Sequence, residues 1–134
     1  MRDMHHNLFA VSAFDSAAIS TNTTTNGNII DMQGFHALEF IMQSATLTDG
    51  TYTPLVEAGD ASDLSDAIAV ADAELLGTEA NATFSDNEDD SVKLIGYIGN
   101  KRYVRLSFVS TGVTTGGTLA AIAVKAKPGQ APVA

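Results

Sequence analysis

The chain has 134 residues, is 45% hydrophobic, carries a formal net charge of −9 and contains no cysteine. This length suits one domain able to bury a core without staples, and the hydrophobic share excludes a disordered polypeptide. The missing cysteines exclude disulfides and thiolate metal sites, and no apolar run reaches the roughly 18 residues that a bilayer span requires.

The charge is unevenly placed. Arg2 is the one basic residue before position 93, and Lys93, Lys101, Arg102, Arg105, Lys125 and Lys127 follow it. Twelve of the 16 acids fall between Asp49 and Asp90. An acidic block repels phosphate, so nucleic acid is not an expected partner, and no membrane association is expected either. The block reads as a solvated surface, or as a face that meets the basic face of another copy.

Residues 1–7 are polar and read as a flexible N-terminal arm. They lack an apolar h-region, so no signal peptide is expected. Leu8-Phe9-Ala10-Val11 reads as a short strand. The run of turn formers from Ser20 to Asn28 resists helix, and Asn26-Gly27 within it is a hairpin signal. Ile29–Met32 gives a second strand. Ala37–Ala45 gives a third, with Leu38, Phe40 and Met42 on one face. Thr48-Asp49-Gly50 turns the chain into a fourth strand, Thr51–Glu57. Pro54 cannot donate to a ladder, so that strand belongs at an edge or carries a bulge. In the stretch 58–77, Ser62 or Asp63 can cap one or two turns of helix through Ser65–Ala71, or an ordered loop. Thr78–Phe84 reads as another strand and Ser85–Asp90 as a loop.

From Val92 to Val124 the pattern predicts a three-stranded antiparallel meander. Ile98-Gly99-Asn100-Lys101 is its first hairpin and Val113–Gly117 its second turn. Val104, Leu106 and Phe108 alternate with Tyr103, Arg105 and Ser107, which puts one set on a buried face and the other toward solvent or a partner. Residues 127–134 read as an extended tail. Seven or eight short strands with Gly, Asn and Thr turns predict a single all-β domain over 1–134. Its expected form is an antiparallel β-sandwich or jelly-roll-like barrel with at most one short helix.

Few residues invite chemistry. Asp86-Asn87-Glu88-Asp89-Asp90 offers oxygen ligands but lacks the spacing of a calcium loop, and an exposed acidic turn needs no ion. His5 and His6 are adjacent, so in an extended arm they point opposite ways, and His36 is remote. There is no Gly-x-Ser-x-Gly elbow and no His-Glu-x-x-His. No catalytic, cofactor-binding or metal residue is assigned, and an enzyme is not expected. Lys101, Arg102 and Arg105 form the one basic cluster, with Tyr97 and Tyr103 close by. Arg and Tyr together are typical of protein interfaces, so Tyr97, Arg102, Tyr103 and Arg105 are the candidate subunit-interface residues.

The segment Leu94-Ile95-Gly96-Tyr97-Ile98-Gly99-Asn100-Lys101-Arg102-Tyr103-Val104-Arg105, followed by Thr114-Thr115-Gly116-Gly117, resembles a family of small proteins of tailed bacteriophages and prophages. That family carries a Gly-Tyr-x-Gly-x-Lys-Arg-Tyr-Val-Arg core and a Thr-Thr-Gly-Gly turn. Asp31-Met32-Gln33-Gly34-Phe35, Leu38-Glu39-Phe40, Thr48-Asp49-Gly50-Thr51-Tyr52, Leu75-Leu76-Gly77-Thr78 and Ala131-Pro132-Val133 are similar to it too. The likeness spans most of residues 28–133. Around 58–75 the chain departs from the family, with an Ala-rich acidic stretch in place of a Trp-containing Asp-Gly-Ser loop.

The resemblance implies a head accessory protein, a capsid cement or decoration protein that sits as a homotrimer on the outer capsid surface of a virion. It would be made in the bacterial host cytoplasm, need no cofactor, and have the major capsid protein and copies of itself as partners. Arg102 or Arg105 is then expected to approach acids in a neighbour's 57–90 block. The alternative is a carbohydrate- or receptor-binding sandwich on a virion. With no Trp, Tyr52, Tyr97 and Tyr103 would have to serve it.

Overall fold

The structure, a computed structural model, describes residues 3–128. His5–Asn7 wind into one 3-10 turn, where Asp3 accepts the His6 backbone N–H at 3.1 Å. The expected arm is therefore locally ordered at its end. Ten strands follow among the described residues: β1 Leu8–Ile19, β2 Thr24–Asp31, β3 Phe35–Leu47, β4 Thr51–Gly59, β5 Ile68–Ala69, β6 Leu75–Leu76, β7 Phe84–Ser85, β8 Val92–Tyr97, β9 Tyr103–Thr111 and β10 Gly117–Pro128. The expected tail is strand as far as Pro128, and its remainder lies outside the described residues.

The strands form two antiparallel sheets packed as a sandwich. The first sheet runs β1-β10-β3-β8-β6 and the second β2-β9-β4-β5, with β7 also on β4. Strand pairs nest by sequence: β1 with β10, β2 with β9, β3 with β8, and β4 with β7. That is the winding of a jelly roll, a long paired ribbon folded over itself.

The expected meander is therefore wrong in its pairings. Consecutive strands β8, β9 and β10 alternate between sheets, and Ile98–Lys101 belongs to a crossover, not a hairpin. Period-two alternation tells which side chains face the core but not which strand supplies the ladder. The crossover is held by side chains and backbone of other segments. Ile98 N–H donates to Glu74 O at 2.8 Å, and Lys101 N–H donates to the Tyr97 hydroxyl at 3.1 Å.

Asn26-Gly27 is likewise no hairpin. It lies inside β2 at a bulge, where the register to β9 shifts between Asn26 and Ile29. A methyl on Gly27 would collide with the carbonyl oxygens of Leu106 and Ala13, so glycine lets β2 pass close to both β9 and β1. Of the two forms expected over Ser65–Ala71, turns of helix or an ordered loop, the loop is the one that forms. Asp66 accepts the N–H groups of Asp60 and Ala61, and Asp63 accepts that of Ser65, folding the acidic stretch into turns around the short β5. Local carboxylate-to-backbone bonds outcompete the weak helical signal here. Thr78–Phe84 is mostly turn, with only Phe84–Ser85 in strand.

The core is the seam between sheets. Phe40, Met42, Ile95 and Leu119 from the first sheet meet Tyr52, Val56, Val104, Leu106 and Phe108 from the second, all fully buried. The Phe14 and Phe108 rings pack edge to face at 5.0 Å. The alternation expected for β3 holds over Ala37–Ala45, and Val104, Leu106 and Phe108 are buried as expected, but Ser107 of the opposite set is buried too.

Candidate interaction surface

The two outer faces of the sandwich differ in chemistry. On the second sheet, Arg105 lies between Ile29 of β2 and Glu57 of β4. Its Nη2 donates to Glu57 Oε1 at 2.8 Å, with both side chains only about a fifth exposed (17% and 20%). Beside it Ser107 Oγ bonds Asn26 Oδ1 at 3.2 Å. This face mixes a paired charge and these polar groups with Ile29, Leu55 and Val109.

The first sheet is apolar outside as well as inside. Register places Ser12, Ile122, Ile41 and Leu94 in one row across β1, β10, β3 and β8. The next row reads Ala10, Val124, Glu39, Gly96 and Leu76, and the one beyond it Leu8, Ala126 and Ala37. On the other side lie Ala120, Gln43 and Val92. Ile122, Val92, Leu94 and Leu76 are 45–58% exposed. Toward one end the face dips into a groove of about 520 Å³ lined by Leu8, Ala37, Leu76, Ile98 and Val124. Glu39 is the one charged side chain in these rows. Gly96 leaves room above it for both the Glu39 carboxylate and Leu76. Burial against these neighbours pushes the Glu39 carboxyl above its ordinary range.

This face escaped the sequence reading, yet it left a signal. Leu119-Ala120-Ala121-Ile122-Ala123-Val124 is apolar at both parities, as is Leu94-Ile95. Alternation marks a strand with one wet face, and a continuous run marks a strand covered on both.

Of the four residues singled out from the sequence, Arg102, Tyr103 and Arg105 gather on the outer side of the second sheet and Tyr97 does not. Tyr97 is a core residue, 3% exposed. Tyr103 lies half-buried on the second sheet, with the Arg102 guanidinium 4.9 Å from its ring centre. Arg102 makes a two-pronged pair with Asp31 at 2.9 and 3.0 Å and also reaches Gln33. Arg105 holds Glu57. The other cations behave alike: Lys93 pairs with Glu88 at 2.7 Å and Lys101 with Asp60 at 2.9 Å. Lys125 donates to Asp31 O at 3.1 Å and sits over the rings of Phe9 and Phe35. The basic end thus meets acids of its own chain.

The acidic loop is similarly occupied. Glu88 is held down to about 2 by the Lys93 ammonium and by the Ser85 N–H and hydroxyl. Asp89 accepts the Leu47 N–H at 2.8 Å. Among the described residues no group of three or more histidines and acids is placed to hold a metal ion.

Two motifs distant in sequence meet at one turn. The Asp49 carboxylate accepts the Thr114 hydroxyl at 2.6 Å, the Thr115 N–H at 3.0 Å and the Gly116 N–H at 2.8 Å. These donors, the Thr114 hydroxyl above all, hold Asp49 well below the usual carboxylate range. Gly116 takes a φ of 100°, and a side chain there would strike the Ile19 carbonyl. The Thr48–Tyr52 and Thr114–Gly117 segments are thus two halves of one structure.

No family model matches the chain, and no curated protein matches it. Among solved structures, the chain is similar to one described as the crystal structure of SPBc2 prophage-derived protein YomS. The two share 15% identity over 88% of this chain and 93% of that one, with a TM-score of 0.49.

Proposed function

We propose that this chain is a capsid cement protein of a tailed bacteriophage, joined in threes on the outer capsid surface. The observation that carries the reading is the contrast between its outer faces, one apolar and nearly uncharged, the other mixed, with its charges paired. A plaque that must both join its own kind and lie on a hydrated shell uses two such surfaces. The likeness of residues 28–133 to phage head accessory proteins supports the reading. The most specific parts of that likeness build the crossover after β8 and the Asp49 turn.

The mechanism is mechanical. Each copy bridges neighbouring capsid subunits and adds contact area across their seam. Binding the assembled lattice and not free subunits stabilises the lattice by mass action. Sugar binding finds less support. Tyr52 and Tyr97 are buried, so of the three tyrosines only Tyr103 is left to stack on a sugar ring. The test is to add the purified protein to phage particles that lack it. Cosedimentation in stoichiometric amounts and a higher temperature of DNA release are expected. Density confined to a tail or fibre in electron micrographs would replace the cement reading with receptor binding.

A further inference from the structure

We infer that the outer face of the first sheet is the surface through which copies of this chain join one another. The inference rests on the self-association in the proposed function and not on capsid binding. Ile41, Ile122 and Leu94 lie side by side across three strands, with Val124, Leu76 and Val92 around them.

A second copy fits this face in charge, shape and area. The chain carries −9, so copies repel wherever their acidic blocks face each other. Within the rows named above Glu39 is the one charged side chain, and Asp15 beside Ser12, Asp90 beside Gln43 and Ala120, and His5 beside Leu8 stand at their margins, so the middle of this face is where that repulsion is least. Lys93, Lys101, Arg102 and Arg105 are engaged by acids of their own chain, which leaves apolar contact to join the copies. Around a threefold axis one such face from each copy can turn inward, so that the three enclose a shared apolar centre. Four strands about 4.8 Å apart and seven residues rising about 3.3 Å each make a field of roughly 450 Å² in projection. A standard interface takes about 800 Å² from each partner. Side-chain relief, the groove and exposed Ile98 at its rim supply much of the difference.

Analytical ultracentrifugation of the purified chain without capsids tests this. The wild type is expected to sediment as an oligomer at micromolar concentration. Ile122→Glu and Leu94→Glu, at positions already exposed, are each expected to weaken association about 100-fold or more while leaving the melting temperature near wild type. Ile29→Glu, on the outer face of the second sheet, should leave the oligomer intact. Glu39→Gln removes the charge in the middle of the face and should tighten association several-fold. It also covers the case in which the glutamate variants unfold, because unchanged or weaker association of Glu39→Gln would overturn the inference. A monomeric wild type overturns it, as does an oligomer that survives both glutamates or falls apart with Ile29→Glu. Cosedimentation separates this from the cement reading. An oligomer that ignores capsids removes that reading and keeps this face, and a monomer that binds them does the reverse.

Discussion

Asp49 shows how one carboxylate can hold a fold's end together. It gathers donors from Thr114, Thr115 and Gly116 and so ties the β3–β4 turn to the β9–β10 turn. Its folded-state pKa lies below its ordinary 3.8, and Glu88 is likewise drawn from 4.5 to about 2. Such groups contribute stability above their unfolded values, and the contribution is lost as pH falls through the folded ones. Glu39 and Glu79 are raised by burial and act in the opposite sense, so lowering the pH through their range relieves a cost. The expected profile holds steady or rises slightly from neutrality to about pH 4.5, then falls toward pH 2. Asp49→Asn should lower the melting temperature at neutral pH and flatten the acid fall. Calorimetry across that range checks it, and an unchanged acid limb would deny Asp49 its role. Gly27 is a second single-residue test. Gly27→Ala should cost roughly 1–3 kcal/mol in urea unfolding, because two carbonyl oxygens occupy the space of the new methyl.

At the scale of elements, β4 shows what replaces a ladder where proline interrupts it. Val56 N–H points away from β9 and donates to Glu79 Oε2 at 2.8 Å. Pro54, two residues earlier, faces the same way, into the gap between the short pairings of β4 with β7 and with β5. The Glu79 carboxylate is thus a substitute for a missing strand. Glu79→Ala should cost about 1–2 kcal/mol by stranding that N–H. Glu79→Gln keeps an acceptor without a buried charge and should match or exceed the wild type at neutral pH; equal losses in the two would show that the hydrogen bond is not the point. A break in one ladder of β4 was legible in the sequence because proline cannot donate there, but β4 is not an edge strand: it lies between β9 and the short β5 and β7, and Pro54 falls in the gap between these two. The inward face of β3 and of β9 was legible because alternation reports burial directly. Ladder partners were not, since Val92–Tyr97 and Tyr103–Thr111 carry the same alternation whether they pair or face each other across a core. The turns of 60–66 were hidden because an Asp two, five or six residues from its donor looks like surface charge until the backbone closes on it. Tyr97 stands apart from Arg102, Tyr103 and Arg105 for a related reason. Adjacency in sequence at a crossover sends one side chain to the core and the others to an outer face.

The whole molecule is organised by pairings between distant parts of the chain, the first strand with the last and the second with the ninth. Ordering long intervening segments before any ladder closes makes such a fold slow to form. The same nesting sets Leu8 opposite Ala126, at the end of the sandwich away from the Asp49 turn. The chain is thereby suited to circular permutation. Joining its two ends by a short linker and reopening it between exposed Ser62 and Asp63 would turn β1 and β10 from the most remote partners into a hairpin. The permutant is expected to keep the sandwich and refold faster in stopped-flow fluorescence. Refolding no faster than the parent would mean that closing β1 onto β10 is not the slow step.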